Sequence, residues 1–363
     1  ATEDAYSNLL LPELIEEYKL DTRDAAFTTE LALGTLRWQG LLDKMIEEAS
    51  GRAVGRIDPP IRDILRLGAY QILLMRVPDH AAVSSSVDLS TWVRMKSAGG
   101  LVNAVLRVVA SKNFDDWREQ VTVNIADETE RLSVKWSHPR WEVAALRDSL
   151  EHKDQLEALL ETNNSSPQVM GVSRNGDVGV QQLMALGGEP GHWSPYATTI
   201  KVSPRSIPEI RRGTIGVQDE GSQLVALTLA AVSIEGKDNQ WLDMCAGPGG
   251  KAALLKYLGA QRGATLTAVE LQPHRAALIE SALRNVEGDS TVITADGTDQ
   301  RFATGTYDRV LVDAPCTGLG VVRRRAESRW RRTPSDVAAL SKVQKALLLN
   351  ALRAVRPGVV VLY

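Results

Sequence analysis

Apolar residues recur every three or four positions through the first third of the chain. Trp38, Leu41, Leu42, Met45 and Ile46 share one helical face, as do Ile61, Ile64, Leu65, Gly68 and Ile72, and then Val102, Val105, Leu106 and Val109. That period belongs to a helix with one buried side. Asp58-Pro59-Pro60 and Val77-Pro78-Asp79 read as helix-ending punctuation. Nothing here alternates with a period of two, so the spacing predicts an all-α bundle. A helical stretch from Trp141 to about Leu160 runs into Asn163-Asn164-Ser165-Ser166-Pro167, a loop signal and domain boundary. Short β-like runs follow, Val178-Gly179-Val180 and Thr199-Ile200-Lys201-Val202, and predict a small α+β module up to about residue 232.

From Gln240 strands and helices alternate. Strands are expected at Trp241–Met244, Leu266–Glu270, Val292–Thr294, Arg309–Asp313 and Val359–Tyr363. Helices are expected at Gly249–Leu258, at Pro273–Arg284 and along Leu340, Val343, Leu347, Leu348, Ala351 and Leu352. This order predicts an α/β, doubly wound, Rossmann-like parallel sheet. Such sheets bind ligands beyond the carboxyl ends of their strands.

Composition narrows the function. A length of 363 residues with 44% hydrophobic and 24% charged residues is that of a soluble protein of two or three domains. Its net charge of −3 excludes a uniformly basic coat for nucleic acid. Two cysteines supply neither a disulfide framework nor a Cys-rich zinc site. The histidines, at 80, 138, 152, 192 and 274, lack ligand spacing, so no metal is expected. No apolar run reaches the ~18 residues of a membrane span and no leader pattern opens the chain, so a cytoplasmic protein without a membrane partner is expected. The first residue is Ala, and the start is expected to be cut. Charge is also uneven: the first 31 residues hold eight acids against Lys19 and Arg23, read as a solvated helix surface.

The strand ends carry the chemistry. Asp243-Met-Cys245-Ala246-Gly247-Pro248-Gly249-Gly250-Lys251 follows the first strand. Glycines there let a backbone pass close under a ligand, and the next helix begins with free N–H groups. Glu270 ends the following strand, twenty residues after Gly250, where a carboxylate can take both hydroxyls of a ribose. The turn does not spell G-x-G-x-x-G, and Pro248 removes a donor that a pyrophosphate would use. S-adenosylmethionine therefore fits better than NAD, and a dehydrogenase is disfavoured. Asp296, ending the third strand, is placed for an adenine amino group or for simply starting a loop.

Asp313-Ala-Pro-Cys316 ends the fourth strand. A lone cysteine is more often a small buried hydrophobe, but Cys316 stands among Gly, Pro and Thr, outside any apolar face. Pyrimidine C5 is too weakly nucleophilic to take a methyl group directly. A thiolate added at C6 makes it enamine-like, and a base must later remove the C5 proton. A Cys–Asp cleft beside a methyl donor meets that need. Arg323, Arg324, Arg325, Arg329, Arg331 and Arg332 follow, with one Glu and Trp330 among them. The run is read as RNA contact, with a salt slope of about −4 if each arginine met a phosphate at ~0.7 apiece. Trp330 either stacks on a base or packs inside the protein.

Taken together, residues 243–251, Glu270, Asp296, Asp313–Gly320 and Gly320-Val-Val-Arg-Arg-Arg with Ser328-Arg-Trp330 resemble the RNA 5-methylcytosine methyltransferases of the Sun (RsmB, Fmu) group. The helical third is similar to the NusB fold, through Glu30–Arg37, Leu65–Gln71 and Gly100–Arg107. Trp136–Trp141 and Val217-Gln-Asp-Glu-Gly-Ser-Gln223 also match the subgroup that modifies small-subunit (16S) ribosomal RNA. The resemblance implies a NusB-like domain over 1–135, a helical linker and α+β module over 136–232, and a class I methyltransferase domain over 233–363. It implies that Cys245 to Lys251 hold the methionine end of S-adenosylmethionine, Glu270 the ribose and Asp296 the adenine. Asp313 would lie by the methyl donor and the cytosine, and Cys316 would help expel the product. A second cysteine, in a Thr-Cys motif, would bond C6. That motif and two more strands are expected after Tyr363, so the chain is expected to be truncated. RNA is the expected partner and a monomer the expected state. The alternative is a non-catalytic RNA-binding assembly factor that keeps the cofactor fold.

Overall fold

The prolines at 59 and 78 start helices rather than end them. Pro59 is the first residue of the helix Pro59–Leu74, and Pro78 precedes the helix Asp79–Trp92. The first helical turn has no intrahelical use for an N–H, so proline's missing donor costs nothing there. That corrects their reading as stops. Asp21, Asn113 and Asp127 start helices by the commoner route, each side-chain oxygen accepting the N–H three residues on, at 2.8, 2.9 and 2.7 Å.

The computed structural model describes residues 7–299 and 304–363, so Glu3 and Asp4 of the acidic stretch lie outside the described residues. Two units form: Ala1–Pro167 with Thr317–Pro334, and Gln168–Cys316 with Ser335–Tyr363.

The first unit is helical, as the periodicity predicts. Leu41, Leu42, Met45 and Ile46 from Gln39–Ser50 meet Ile61, Ile64 and Leu65, and Val102, Val105, Leu106 and Val109 from Gly99–Val109, in one buried core. A Cβ on Gly68 would fall 2.5 Å from Leu106 Cδ1 and 2.7 Å from Ser86 Oγ, so a larger residue there would have to push these side chains aside. Trp117 is buried and its Nε1 donates to Val109 O at 2.9 Å, which satisfies the polar atom that a buried indole brings. The helix expected over 141–160 is two, Arg140–Ser149 and Leu156–Asn163, because Glu151-His-Lys-Asp154 offers no apolar residue to continue the buried face.

Residues 317–334 complete this unit. Arg329, in the short helix Ser328–Arg331, is 0% exposed. Its Nη1 donates to Arg37 O and Ser137 O at 3.1 Å and to Asn164 Oδ1 at 2.7 Å, and Nη2 to Asn163 O at 2.7 Å. Nearby Glu142 is also fully buried, and neither carboxylate oxygen has a hydrogen-bond partner among the described residues. Burial pushes its carboxyl up to about 7, with the Arg329 charge pulling the other way. An acid raised on folding contributes stability below its unfolded pKa and loses it as pH rises through the folded value. Between pH 5 and 8 this group should therefore remove up to ~3 kcal/mol, and Glu142→Gln should flatten that loss. Urea unfolding of both proteins at the two pH values checks this, and parallel pH profiles would refute it.

In the second unit β1 (Met170–Ser173), β2 (Ala197–Thr199) and β3 (Ile215–Val217) form an antiparallel sheet in the order β2-β1-β3. Leu183, Ile200, Ile207 and Ile215 pack against one another beside it. Val178-Gly179-Val180 is not a strand but part of the helix Asp177–Ala185, a correction. Three residues cannot outweigh the helical spacing carried by the chain after them, and Val178 faces solvent.

The larger sheet contains β4 (Gln240–Asp243), β5 (Thr265–Glu270), β6 (Asp289–Thr294), β7 (Tyr307–Leu311) and β8 (Val355–Leu362). All are parallel, in the order β6-β5-β4-β7-β8. Alternate residues serve opposite faces, as strand geometry requires. Trp241, Leu266, Ala268 and Leu311 pack under Glu220–Ala231, Gly250–Ala260 and Pro273–Leu283, while Leu242, Val269 and Val310 pack under Leu347, Ala351 and Ala354 of Pro334–Ala354. This is the expected doubly wound sheet. No helix among the described residues is long and apolar enough to cross a membrane.

Candidate active site

The sheet reverses its order at β4, with β5 and β6 on one side and β7 and β8 on the other. A crevice opens beyond the carboxyl ends at such a reversal. Asp243, the last residue of β4, is fully buried; Oδ1 accepts from Cys245 N at 3.3 Å and Oδ2 has no partner among the described residues. Burial first, and then the charge of Asp313, push its carboxyl up to about 7, while Lys251 draws it down. The Cys245 thiol is pushed up to about 12 by burial and by Asp243. Its side chain packs against the core that contains Leu242 and Val269, and a thiol raised in this way is a weak nucleophile.

The loop after β4 is shaped by contact with its neighbours. A Cβ on Gly247 would collide with Glu270 Oε2. Gly249 has φ +106°, and a Cβ there would come 2.9 Å from Ala282 Cβ. These glycines admit neighbouring side chains and a positive φ that a larger residue would not allow. Glu270 ends β5, where Oε1 accepts from Gln272 N at 3.0 Å. Arg275 was missed in the sequence: Nη1 lies 3.2 Å from Glu270 Oε2, and Nη2 donates to Gly247 O at 2.7 Å. It ties the loop to the strand-end acid. A basic residue in the first turn after that acid was the available signal.

Asp296 lies two residues past β6, and its Oδ1 accepts from Thr298 N at 2.8 Å and Thr298 Oγ1 at 2.7 Å. These bonds hold its carboxyl below the usual range. Asp313, two residues past β7, is paired with Lys251 Nζ at 2.8 Å. Lys251 and Asp313 thus come together from separate strand ends, and the exposed thiol of Cys316 follows on the same loop. Ala246 is buried and Gly250 opens the helix after β4. The set suits a cationic nucleoside: Glu270 puts a carboxylate at the strand end where a diol would lie, and Pro248 withholds a donor from a pyrophosphate. Among the described residues no three His, Cys, Asp or Glu side chains gather as metal ligands would.

The arginine run divides. Arg325 is exposed, Arg323 donates to Ser165 O at 3.2 Å and Ser166 O at 3.4 Å, and Arg324, Arg331 and Arg332 lie between exposed and buried. Arg329 is corrected out of the RNA set. A guanidinium with no exposed surface and four internal acceptors cannot reach a phosphate. Five candidates lower the ceiling on the salt slope to about −3.5. Trp330 packs within its own unit: its Nε1 donates to Leu36 O at 3.2 Å, and a Cβ on Gly40 would strike its ring.

Comparison with known proteins now adds to the geometry. A profile of the family described as "16S rRNA methyltransferase RsmB/F" matches residues 231–363, and one of the NusB family matches residues 1–111. The Mycobacterium tuberculosis protein Rv1407, which carries a methyltransferase name, is 44% identical over 99% of this chain and 79% of its own length. Ribosomal RNA small subunit methyltransferase B of Pseudomonas syringae is 30% identical over 94% of this chain and 75% of its own. Among solved structures, that of PH0851 has a TM-score of 0.77 at 21% identity, covering 96% of this chain and 79% of that one. NSun6 from Pyrococcus horikoshii with SFG has a TM-score of 0.50 at 16% identity, covering 61% and 82%. At those identities the structural likeness is one of fold.

Proposed function

Because the chain belongs to the RsmB/F family of 16S rRNA methyltransferases, we propose that it methylates C5 of a cytosine in small-subunit ribosomal RNA through an adduct of C6 with a cysteine thiol, that of the Thr-Cys motif which the family resemblance implies or, without it, Cys316 alone. The observation that carries this reading is the meeting of Lys251 and Asp313 at 2.8 Å, with Cys316 three residues further along the same loop. S-adenosylmethionine, when bound, supplies a methyl group activated by its sulfonium. Residues Cys245 to Lys251 would hold its methionine end, Glu270 its ribose and Asp296 its adenine.

The remaining work falls to the cytosine side. C5 and C6 are unreachable in a stacked duplex, so the base comes from a single-stranded or opened region and turns into the cleft. Asp313 stands by the cytosine, its carboxylate held in place by the Lys251 ammonium. Cys316 assists departure of the methylated product. Arg323, Arg324, Arg325, Arg331 and Arg332 meet RNA phosphates, and the helical unit and small sheet position the strand.

The test follows atoms. With tritiated methyl donor and 16S rRNA, label should be recovered after nuclease digestion as 5-methylcytidine. With RNA carrying tritium at cytosine C5, one tritium should reach water per methyl transferred. Label on a ribose or an exocyclic nitrogen would sink the C5 assignment. Binding of donor and RNA without any transfer would favour the assembly-factor alternative.

A further inference from the structure

Gln218 follows β3 and is 8% exposed, yet neither Oε1 nor Nε2 has a hydrogen-bond partner among the described residues. A buried polar group left unpaired is costly, and native structures seldom keep one without a use. Its direction is set by its surroundings. Gln218 N donates to Met170 O at 3.0 Å, and Gln218 O accepts from Gln223 Nε2 at 3.0 Å. Gln223 is itself fully buried, donating also to Gly171 O at 3.3 Å and accepting from Ser194 Oγ at 2.7 Å. The backbone at 218 is therefore fixed, and the side chain reaches over the start of the helix Gly250–Ala260. Oε1 and Nε2 stand 3.9 and 4.0 Å from where a Cβ on Gly250 would be.

We propose that the Gln218 carboxamide binds the amino-acid end of S-adenosylmethionine, Nε2 donating to the α-carboxylate and Oε1 accepting from the α-ammonium. This contact rests on the cofactor reading above and adds a ligand that the loop after β4 does not contain. The helix start at Gly250 presents free N–H groups and the positive end of a dipole, which favour the carboxylate. A carboxamide carries one donor group and one acceptor, as a zwitterion demands, where a charged side chain would repel one end of it. Gln223 then acts as a positioning residue, holding the backbone from which Gln218 projects.

The experiment is calorimetric titration of the full chain with two probes. S-adenosylhomocysteine carries the amino-acid end; 5′-methylthioadenosine has the same nucleoside and sulfur without it. Gln218→Leu should weaken the first on the order of 10- to 100-fold and leave the second within twofold. Melting of the ligand-free variant should be no lower than that of the wild type, since leucine removes an unpaired buried amide. Gln218→Met, unbranched and of similar length, carries the same expectation should the leucine variant not fold. Unchanged S-adenosylhomocysteine affinity, or equal loss for both probes, overturns the contact. A wild type that binds neither probe overturns the cofactor reading and the contact with it. The readout is binding, so a failure of the cytosine chemistry is seen separately.

Discussion

Replacing Arg329 by alanine should lower the stability of the protein by about 3–5 kcal/mol, the range for stripping one partner from a buried charged network. The change leaves Asn164 Oδ1 and the carbonyls of Arg37, Ser137 and Asn163 without their donor. It also removes the charge that opposes the rise of the Glu142 carboxyl. Lysine should not rescue it, because one ammonium cannot serve four acceptors arranged around a planar fork. Arg325, six residues from the end of the same segment's helix and exposed, is the control: its alanine variant should stay within ~0.5 kcal/mol of wild type. Urea unfolding measures both. A loss under ~1 kcal/mol at Arg329 would mean that water replaces the guanidinium and that the buried network is not structural.

The second large effect belongs to Asp313. Asp313→Asn preserves the shape of the side chain but removes the charge that meets Lys251 at 2.8 Å. Single-turnover methyl transfer should fall by roughly 10²- to 10⁴-fold, the span for loss of a positioned acid–base group. S-adenosylhomocysteine affinity should change by no more than a few-fold, because in the proposed reading Glu270 and Asp296 hold the nucleoside end. A transfer rate within tenfold of wild type would remove Asp313 from the chemistry. A parallel collapse of affinity would make it a cofactor ligand only.

Helices and strands were legible where apolar spacing was long and regular. The face from Trp38 to Ile46 and the strands around Trp241, Leu266 and Val310 lie where period and length placed them. Misreadings came from cues that are local in the chain but settled elsewhere. Pro59 looks the same whether it stops one helix or starts the next. Val178-Gly-Val180 has the residues of a strand but sits in a helix. The six arginines announce charge, not burial, and Arg329 finds partners up to 292 positions away in sequence. The candidate site divides in the same manner. Glycines and acids at strand ends betray themselves, since a parallel sheet fixes where those ends gather. Arg275 and Gln218 are harder to read: a basic first turn and a matching motif draw the eye to them, but their surroundings are set only when another segment is brought against each.

The helical unit has one feature with a bearing on inheritance. Its fold includes eighteen residues, Thr317–Pro334, taken from between the last two strands of the other unit's sheet. Val322, Ala326 and Arg329 of that stretch are buried. A gene fragment ending at Pro167 would encode a helical module lacking part of its own interior, and a fragment beginning there would carry a plug without its socket. Such an arrangement resists shuffling by end-to-end recombination. Changes in the socket around Ser137 and Asn164 must be matched in the loop that leads away from Cys316, so the two stretches are expected to drift together.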